Sequence, residues 1–251
     1  MTKIIMTGCS GKMGASILSA AALREDCEIT AGVDLVKPAD DSFIYAKSFE
    51  ELDCDADVIV DFSNPAVLDS LLDYAVAKKL PAVICTTGFN EEQKQKIRDA
   101  AKEIPIFYSG NMSLGINLII ELAKKAAAVF GDGFDVEIIE QHHNQKLDAP
   151  SGTALMIADA IASVKPDSEY VYDRHSYRKK RDKNEIGIHS VRGGTIVGEH
   201  EVIFAGQDEI LTISHSARSK TVFAVGALNA AVFLKGKSAG MYDMSDLLAE
   251  K

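Results

Sequence analysis

The sequence is short of positive charge, and this shortage argues against two classes of partner. Its 251 residues include 27 lysines and arginines against 37 aspartates and glutamates, which gives a formal net charge of -10. Nucleic acids and anionic membranes attract basic surfaces, so we expect neither as the main partner. A small anionic ligand remains compatible with this balance, because one pocket can be basic on an acidic protein.

Cysteine pairs and long apolar runs are also missing. The four cysteines are scattered and form no CxxC pair, so we expect free thiols in a reducing cytosol. No apolar stretch is long enough to span a bilayer. The start, MTKIIMTGCSGK, has no basic region followed by a long apolar run, so we expect no signal peptide.

Short apolar runs alternate with helical patterns in the first part of the chain. The runs are KIIMTG, EITAGVD, DVIVDFS, PAVICTT and IPIFYS, and the helical patterns cover residues 12–23, 65–79 and 90–102. Short apolar strands separated by amphipathic helices indicate a parallel sheet with helices on both faces. This part is therefore predicted to be an α/β domain.

The pattern changes after Tyr108. SLGINLIIELAKKAAAVF predicts a long helix, DVEIIEQHH a strand, SGTALMIADAIASV a second helix, and IGIHSVR, IVGEHEVIFAG and EILTISHSA three further strands. The connecting turns RGGT and GQDE suit antiparallel hairpins. The middle of the chain is therefore predicted to be an α+β unit on a mixed or antiparallel sheet. The helix that begins at Thr221 can return to cover the first sheet.

The segment TGCSGKMG places Gly8, Gly11 and Gly14 directly after the first strand and at the start of a helix. Glycines let the N–H groups of a helix start approach a pyrophosphate, although they also serve simple tight turns. Asp34 ends the second strand and can accept hydrogen bonds from an adenosine ribose. The two residues after it are apolar, so no arginine follows to hold a 2′-phosphate. We therefore expect NADH to be used at least as well as NADPH.

Two later loops carry small and hydroxyl residues. Thr86-Thr87-Gly88 follows the fourth strand, and Ser109-Gly110-Asn111 follows the fifth. Loops at the carboxyl ends of strands line the ligand crevice of a doubly wound sheet. Such residues suit a nicotinamide ring and its carboxamide, although either tripeptide alone is more often an ordinary loop.

Three interpretations of EQHHNQKLDAPSGTAL, which contains His142, His143 and Lys146, remain open. A metal site needs three or four ligands, whereas adjacent histidines on a strand point to opposite faces and no further Cys or His lies near in sequence. In the second interpretation the role is purely structural, and the polar side chains form hydrogen bonds with the local backbone. In the third interpretation, a histidine supplies a proton, Lys146 supplies charge, and the N–H groups and hydroxyls of the SGT helix start bind a carboxylate.

A basic run, Arg178-Lys179-Lys180-Arg181 with Lys183, lies between predicted elements. A solvated loop and a loop that closes over an anionic ligand are both compatible with it, and the run alone does not decide.

The segment EIIEQHHNQKLDAPSGTAL resembles the signature of the dihydrodipicolinate reductase (4-hydroxy-tetrahydrodipicolinate reductase) family. Similar motifs follow in family order along nearly the whole chain: TGCSGKMG, CTTGF, NMSLGIN, RGGTIVGEH, VFAVGAL and YDMSDLL. The resemblance implies a cytoplasmic homotetrameric oxidoreductase of the diaminopimelate route to lysine. Such an enzyme uses NADH and/or NADPH to reduce a small dicarboxylate.

The resemblance also implies a domain organisation and a set of site residues. A Rossmann-like dinucleotide-binding domain comprises residues 1–112 and 221–251, and a substrate-binding and oligomerisation domain comprises residues 113–220. The implied contacts to the cofactor phosphates and ribose are Gly8, Gly11, Lys12, Met13 and Asp34. The other implied cofactor-binding residues are Cys85, Thr86, Thr87, Ser109, Gly110, Asn111 and Met112, with Thr86, Thr87, Ser109 and Asn111 near the nicotinamide half. His142 is the implied general acid, Lys146 a second proton-donating or charge-stabilising residue, and His143, Gly152 and Thr153 the implied contacts to the substrate carboxylates.

The sequence departs from the family pattern at three positions. Cys85 stands where many members have glycine before the paired threonines, and Lys220 stands where bacterial forms often have arginine. Lysine is the weaker bidentate partner for a carboxylate, so the role of Lys220 and nearby Arg218 is left open. Leu35 replaces the usual basic residue after the ribose carboxylate, which favours NADH.

Two other functions share part of this pattern. An aspartate- or homoserine-type dehydrogenase would have the glycine loop but should lack HHxxKxDxPSGT. A non-catalytic cofactor sensor would not require a proton donor beside a carboxylate-binding helix start.

Overall fold

The computed structural model describes residues 1–39 and 42–250. The chain divides into two compact units: Met1–Leu114 with Lys220–Lys251 form unit 1, and Gly115–Ser219 form unit 2. The boundaries between the units along the sequence therefore fall at 114/115 and 219/220, whereas the predicted boundaries are 112/113 and 220/221. The roles assigned to the two segments remain predictions.

The helices and strands follow one another as a βα alternation, then a mostly β segment, then a terminal helical segment. Over the described ranges the strands are β1 (Thr2–Thr7), β2 (Cys27–Val33), β3 (Ile44–Ala46), β4 (Val58–Asp61), β5 (Ala82–Ile84), β6 (Pro105–Tyr108), β7 (Asp135–His142), β8 (Glu169–Val171), β9 (Glu185–Arg192), β10 (Gly198–Ala205), β11 (Ile210–Ala217) and β12 (Gly240–Tyr242). The helices are α1 (Lys12–Ala21), α2 (Leu68–Lys78), α3 (Glu91–Ala100), α4 (Leu114–Phe130), α5 (Gly152–Ala162), α6 (Thr221–Leu234) and α7 (Met244–Ala249). Among these residues, no helix is both long and apolar enough to cross a bilayer.

Unit 1 is built on a fully parallel seven-stranded sheet in the order β12-β6-β5-β4-β1-β2-β3. All four residues of β4 are buried, as expected for a parallel strand covered on both faces. One core cluster joins the sheet to α1 and α6, and a second joins it to α2 and α3. The predicted α/β fold and the return of α6 to this sheet are confirmed.

The strands that the sequence did not predict in unit 1, β3 and β12, have three residues each. Both lie at edges of the sheet, where pairing with one neighbour defines them. A three-residue run is too short to show a period of its own.

Unit 2 contains a five-stranded mixed sheet in the order β11-β10-β7-β9-β8. Its central strand β7 pairs in parallel with β9 and antiparallel with β10. Helices α4 and α5 bury one face of the sheet around a core that includes Ile138, Ile157 and Phe204. The mixed sheet predicted for the middle of the chain is confirmed, with the short strand β8 as an addition.

The prediction that RGGT closes an antiparallel hairpin is wrong. Strands β9 and β10 are not neighbours, because β7 lies between them. The segment 193–197 instead crosses the carboxyl end of β7, where the Gly193 N–H donates to the His142 carbonyl at 2.9 Å and the Asn144 N–H donates to the Gly194 carbonyl at 3.2 Å. Turn residues cannot reveal that a strand from 50 residues earlier inserts between two consecutive ones. The other turn, GQDE, does join an antiparallel pair, β10 and β11.

Helix α6 packs closely against the rest of unit 1 at Gly226, where there is no room for a side chain. A Cβ on Gly226 would lie 1.7 Å from the carbonyl oxygen of Met112, so the helix backbone lies directly against the segment that follows β6. That segment includes Ser109 and Asn111, and the contact therefore positions a loop predicted to bind the cofactor.

We predict that Gly226→Ala lowers the free energy of unfolding by about 3 kcal/mol, because backbone atoms on both sides must move to admit the methyl group. The comparison is Gly133→Ala, whose added Cβ would meet no atom within 4 Å. Urea denaturation followed by circular dichroism measures both. Equal midpoints for the two variants would contradict the prediction.

Candidate active site

The glycine loop follows β1 and leads into α1. Gly8 has φ of +81°, and a Cβ there would lie 2.4 Å from the Phe62 carbonyl oxygen, so this position requires glycine. Gly14 is equally tight, with a Cβ 2.5 Å from the Gly8 carbonyl oxygen. Gly11 is the N-cap of α1 and gives the helix no side-chain cap. The first-turn N–H groups, including those of Lys12 and Met13, therefore form a typical anion-binding helix start.

Asp34 is fixed beside this loop. Its Oδ2 accepts a hydrogen bond from the Ser10 N–H at 3.0 Å, and the Ser10 hydroxyl donates to the Val36 carbonyl. A cavity of about 460 Å³ adjoins them, lined by residues that include Gly8, Gly11, Asp34, Phe62 and Asn64. The glycine-lined helix start, the carboxylate and the cavity together fit the phosphates and adenosine of a dinucleotide.

The loop after β5 has one buried and one exposed part. The Cys85 thiol belongs to the hydrophobic core, and burial raises its pKa well above the ordinary value. The Thr86 hydroxyl accepts the Ser63 N–H at 2.9 Å, and the Ser63 hydroxyl donates to the buried Asp61 carboxyl at 2.5 Å. Thr87 is exposed. Cys85 can therefore contact a cofactor only through its backbone, whereas Thr87 has a side chain directed to solvent.

The loop after β6 is held by its own polar groups. The Ser109 hydroxyl donates to the Asn111 carbonyl at 3.0 Å, and the Asn111 side chain accepts the Ser113 N–H at 2.8 Å. Gly110 is exposed, whereas the Met112 side chain lies in the core. The predicted role of Met112 is accordingly limited to its backbone.

In unit 2, the buried carboxylate of Glu140 joins three elements. Its Oε2 lies 2.6 Å from Nδ1 of His142 on the same strand, β7. Both terminal nitrogens of Arg192, the last residue of β9, donate to it at 2.8 and 2.7 Å. The N–H of Ser151, which precedes α5, donates to Oε1 at 3.1 Å. The Glu140 side chain is 0% exposed.

The ionisation state of Glu140 sets the tautomer of His142. Burial alone raises the pKa of Glu140, but hydrogen bonds from Arg192, Ser190, His142 and Ser151 lower it to about 2. An ionised carboxylate only accepts hydrogen bonds, so Nδ1 of His142 carries the shared hydrogen and Nε2 is the atom left for a ligand. Burial lowers the pKa of His142, and Glu140 opposes that effect.

Lys146 lies on the loop between β7 and α5. Its Nζ is 2.8 Å from Oδ1 of Asp148, and its backbone N–H donates to the His143 carbonyl at 3.1 Å. The Lys146 side chain is 21% exposed, and that of Asp148 is 58% exposed. The ammonium is therefore held at the surface by a carboxylate that water also reaches.

The start of α5 differs in one respect from the predicted carboxylate cradle. The Ser151 hydroxyl accepts the Ala154 N–H at 3.1 Å as the helix N-cap and lies 3.2 Å from Nε2 of His200. Ser151 thus has its hydroxyl and its N–H committed within the protein. Gly152 and Thr153 form the first helical turn, and a Cβ on Gly152 would meet no atom within 4 Å. Open space therefore lies beside the Cα of Gly152 at the helix start.

Three residues of this site had no predicted role: Glu140, Arg192 and His200. His200 on β10 pairs in register with Glu140 and is 4% exposed, and its ring centroid lies 5.3 Å from that of His142. Burial and the nearby charge of His142 lower the pKa of His200 to about 4, so its imidazole is neutral near pH 7. The segment RGGTIVGEH contains both Arg192 and His200, but only the strand order shows that it lies beside β7.

The structure also describes two further features of the sequence: the side chains that could bind a metal ion, and the basic run after Tyr177. Over residues 1–39 and 42–250, no group of three or more His, Cys, Asp or Glu side chains is arranged to hold a metal ion. In the basic run, Arg181 donates to Glu137 and Asp135, each at 3.0 Å, and Lys179 pairs with Asp182 at 2.7 Å. These two cations are bound within unit 2 itself.

Two protein-family models match this chain. A family model described as "Dihydrodipicolinate reductase, N-terminus" matches residues 2–112, and one described as "Dihydrodipicolinate reductase, C-terminus" matches residues 115–248. The two matches cover nearly the whole chain.

Similar proteins extend over the same length. A 4-hydroxy-tetrahydrodipicolinate reductase of Caldanaerobacter subterraneus subsp. tengcongensis is 53% identical over 249 residues, which cover 99% of this chain and 98% of the relative. One of Clostridium novyi is 49% identical over 252 residues, which cover 100% of each chain. The solved structure of a dipicolinate-bound dihydrodipicolinate reductase from Paenisporosarcina sp. TG-14 is similar with a TM-score of 0.80 and 28% identity, over 97% of each chain. As its motifs predicted, the chain belongs to the dihydrodipicolinate reductase (4-hydroxy-tetrahydrodipicolinate reductase) family.

Proposed function

We propose that this chain reduces the dehydrated form of 4-hydroxy-tetrahydrodipicolinate to tetrahydrodipicolinate, as a cytoplasmic enzyme of the diaminopimelate route to lysine that uses NADH or NADPH. One observation carries the proposal: the buried Glu140 carboxylate fixes Nδ1 of His142 at 2.6 Å and also holds the start of α5 through the Ser151 N–H. A proton donor and an anion-binding helix start are thus held by one group.

The substrate class follows from the charges of this site. Dipicolinate, which the Paenisporosarcina enzyme binds, is a ring with two carboxylates. In this chain, the N–H groups of Gly152 and Thr153 at the start of α5 suit one carboxylate, and the Lys146 ammonium and His143 suit the other. Lys146 would exchange its partner Asp148 for the substrate.

The chemistry needs a hydride and a proton. A reduced nicotinamide held by the loops after β1, β5 and β6 would supply the hydride to the conjugated C=C–C=N system of the ring. Protonated His142 gives the hydrogen on Nε2 to the ring as negative charge develops there, and water restores the proton afterwards. Glu140 keeps the imidazole oriented and stabilises its charged form, while Lys146 stabilises the negative charge on the ring.

The residues proposed to hold the cofactor are Gly8, Gly11, Lys12 and Met13 at the phosphates, Asp34 at the ribose, and Thr86, Thr87, Ser109 and Asn111 near the nicotinamide. Cys85, Gly110 and Met112 are proposed to contribute backbone contacts. Asp34 has its carboxylate fixed by Ser10, and Leu35 beside it is 83% exposed and uncharged. This arrangement supports use of NADH at least as well as NADPH.

Unit 2 is also proposed to form the contacts of a homotetramer. The face of its sheet opposite α4 and α5 includes Val191, which is 43% exposed, and the partly exposed Ile139 and Ile203. Apolar residues on an uncovered sheet face favour contact with another copy.

Replacing His142 with glutamine tests the proton donor. Glutamine keeps a polar group of similar size but cannot donate a proton, so turnover should fall by about 10²–10⁴-fold with cofactor affinity unchanged. The loss of absorbance at 340 nm with freshly generated substrate measures turnover. His175→Gln, at an exposed position of the same unit, is the control. Unchanged turnover in His142→Gln would remove this residue from the mechanism.

Replacing Gly152 with alanine tests the carboxylate site. The added methyl group meets no protein atom within 4 Å, so stability should change little. It would occupy the space in front of the helix start, and we expect KM for the substrate to rise at least about tenfold, or about 1.4 kcal/mol. Steady-state kinetics measures KM, with Gly133→Ala as the control. A KM equal to that of the unsubstituted enzyme would place the carboxylate elsewhere.

Replacing Asp34 with asparagine tests the ribose site. Asparagine can still accept the Ser10 N–H but lacks the charge that repels a 2′-phosphate, a repulsion of about 1 kcal/mol at a solvent-accessible site. The ratio of kcat/KM for NADPH to that for NADH should therefore rise about fivefold. Asp73→Asn on the exposed side of α2 is the control. An unchanged ratio would mean that Asp34 does not face the 2′-position.

A further inference from the structure

Arg192 is placed to act on His142 through Glu140. It is the residue of β9 in register with His142 on β7. Its two terminal nitrogens donate hydrogen bonds to the Glu140 carboxylate. They also donate to the Val191 and Asp148 carbonyls at 2.8 and 2.7 Å. Its Nε is buried with no hydrogen-bond partner within the described residues. The guanidinium is thus held in one orientation, with its charge directed at the carboxylate.

The Arg192–Glu140 pair has two opposite effects on the proton of His142. Glu140 alone, a fully buried negative charge at 2.6 Å, would hold an imidazolium so strongly that it became a poor acid. Arg192 withdraws part of that negative charge through its bidentate contact and adds a positive charge of its own. The pair is nearly neutral as a unit, yet its negative end is the one that touches His142.

The other charged and titratable groups around His142 act less directly. Lys146 on the following loop lowers the pKa of His142, but its ammonium is paired with Asp148. His200 on β10 is neutral near pH 7 and packs edge to face against the ring. Gly198 on the same strand leaves Nε2 accessible, because a Cβ there would lie 3.2 Å from it. The start of α5 contributes the uncharged Ser151 N–H to Glu140.

We propose that Glu140 and Arg192 are a pair of positioning residues that together set the acid strength of His142. Glu140 fixes the ring so that Nε2 faces the ligand and favours the protonated ring. Arg192 limits that preference, so that the ring can release its proton to the substrate. The catalytic meaning of this pair rests on the proposed role of His142, whereas the effect on its proton affinity does not.

The direct test is a titration of the histidine ring signals by NMR, in the protein without cofactor or substrate. The chain has six histidines, and the signal missing from His142→Gln assigns His142. Arg192→Met should move the titration midpoint of His142 upward by about one pH unit, because Glu140 then acts without its counter-charge. Glu140→Gln should move it downward by a similar amount, because Arg192 and Lys146 then act on the ring without the opposing charge of Glu140.

Two variants separate the charge from the packing. Arg192→Lys keeps the charge and should restore most of the original midpoint, and Arg178→Met removes an exposed arginine of the same unit and should leave the midpoint unchanged. Removing one member of a buried pair can unfold a protein, so the double variant Arg192→Met/Glu140→Gln is also needed. It replaces the pair by neutral side chains, and its midpoint should lie above that of Glu140→Gln alone.

The outcomes distinguish this inference from the proposed function. Opposite shifts in the two single variants, or the raised midpoint in the double variant, support the pair. Shifts in the same direction overturn it, and so does a double variant equal to Glu140→Gln where Arg192→Met alone does not fold. In kinetics, activity that needs protonated His142 declines as pH rises through its midpoint, so this decline should move to higher pH in Arg192→Met. If His142→Gln keeps full turnover while the NMR shifts appear, the proposed mechanism fails and the effect of the pair on proton affinity stands.

Discussion

The chemistry proposed for unit 2 depends on one buried negative charge, the Glu140 carboxylate. A carboxylate that is fully removed from water is stable only when strong donors surround it, and Glu140 has Arg192, His142 and the Ser151 N–H as donors. Each donor belongs to a different part of the chain: the end of β9, the end of β7 and the start of α5. Satisfying one charge therefore brings the proposed proton donor, the counter-charge and the start of α5 to the same place.

The fold provides the positions that this charge requires. Strand β7 lies between β9 and β10, so residues 52 and 60 positions apart from Glu140 on the chain become its neighbours. The loop that follows β9 crosses the end of β7 and bonds to the His142 carbonyl. The backbone and the side chain of His142 are thus held independently, and the ring has little freedom to change its tautomer.

In unit 1 the proposed cofactor site depends more on backbone groups than on side chains. Gly8 and Gly14 are required by close contacts with neighbouring carbonyl groups, and Gly11 leaves the start of α1 without a side-chain cap. The result is a positive helix end formed by backbone N–H groups. Asp34 is then fixed by the Ser10 N–H in the same loop. The helix start proposed to bind phosphate comes from the short segment between β1 and α1, and the carboxylate proposed to bind ribose, Asp34, follows directly after β2.

The sequence by itself determined the α/β class of unit 1, the mixed sheet of unit 2, the family, and the residues of the two motifs. Hydrophobic period and glycine spacing are local properties, and the HHxxKxDxPSGT segment is continuous, so all of these can be read along the chain. Only the tertiary structure decided that RGGT is a crossover, that Ser151 is committed to His200 and Glu140, and that Arg192 pairs with Glu140. Strand order and the pairing of a buried charge depend on residues far apart in sequence, and no local pattern records which of them will meet.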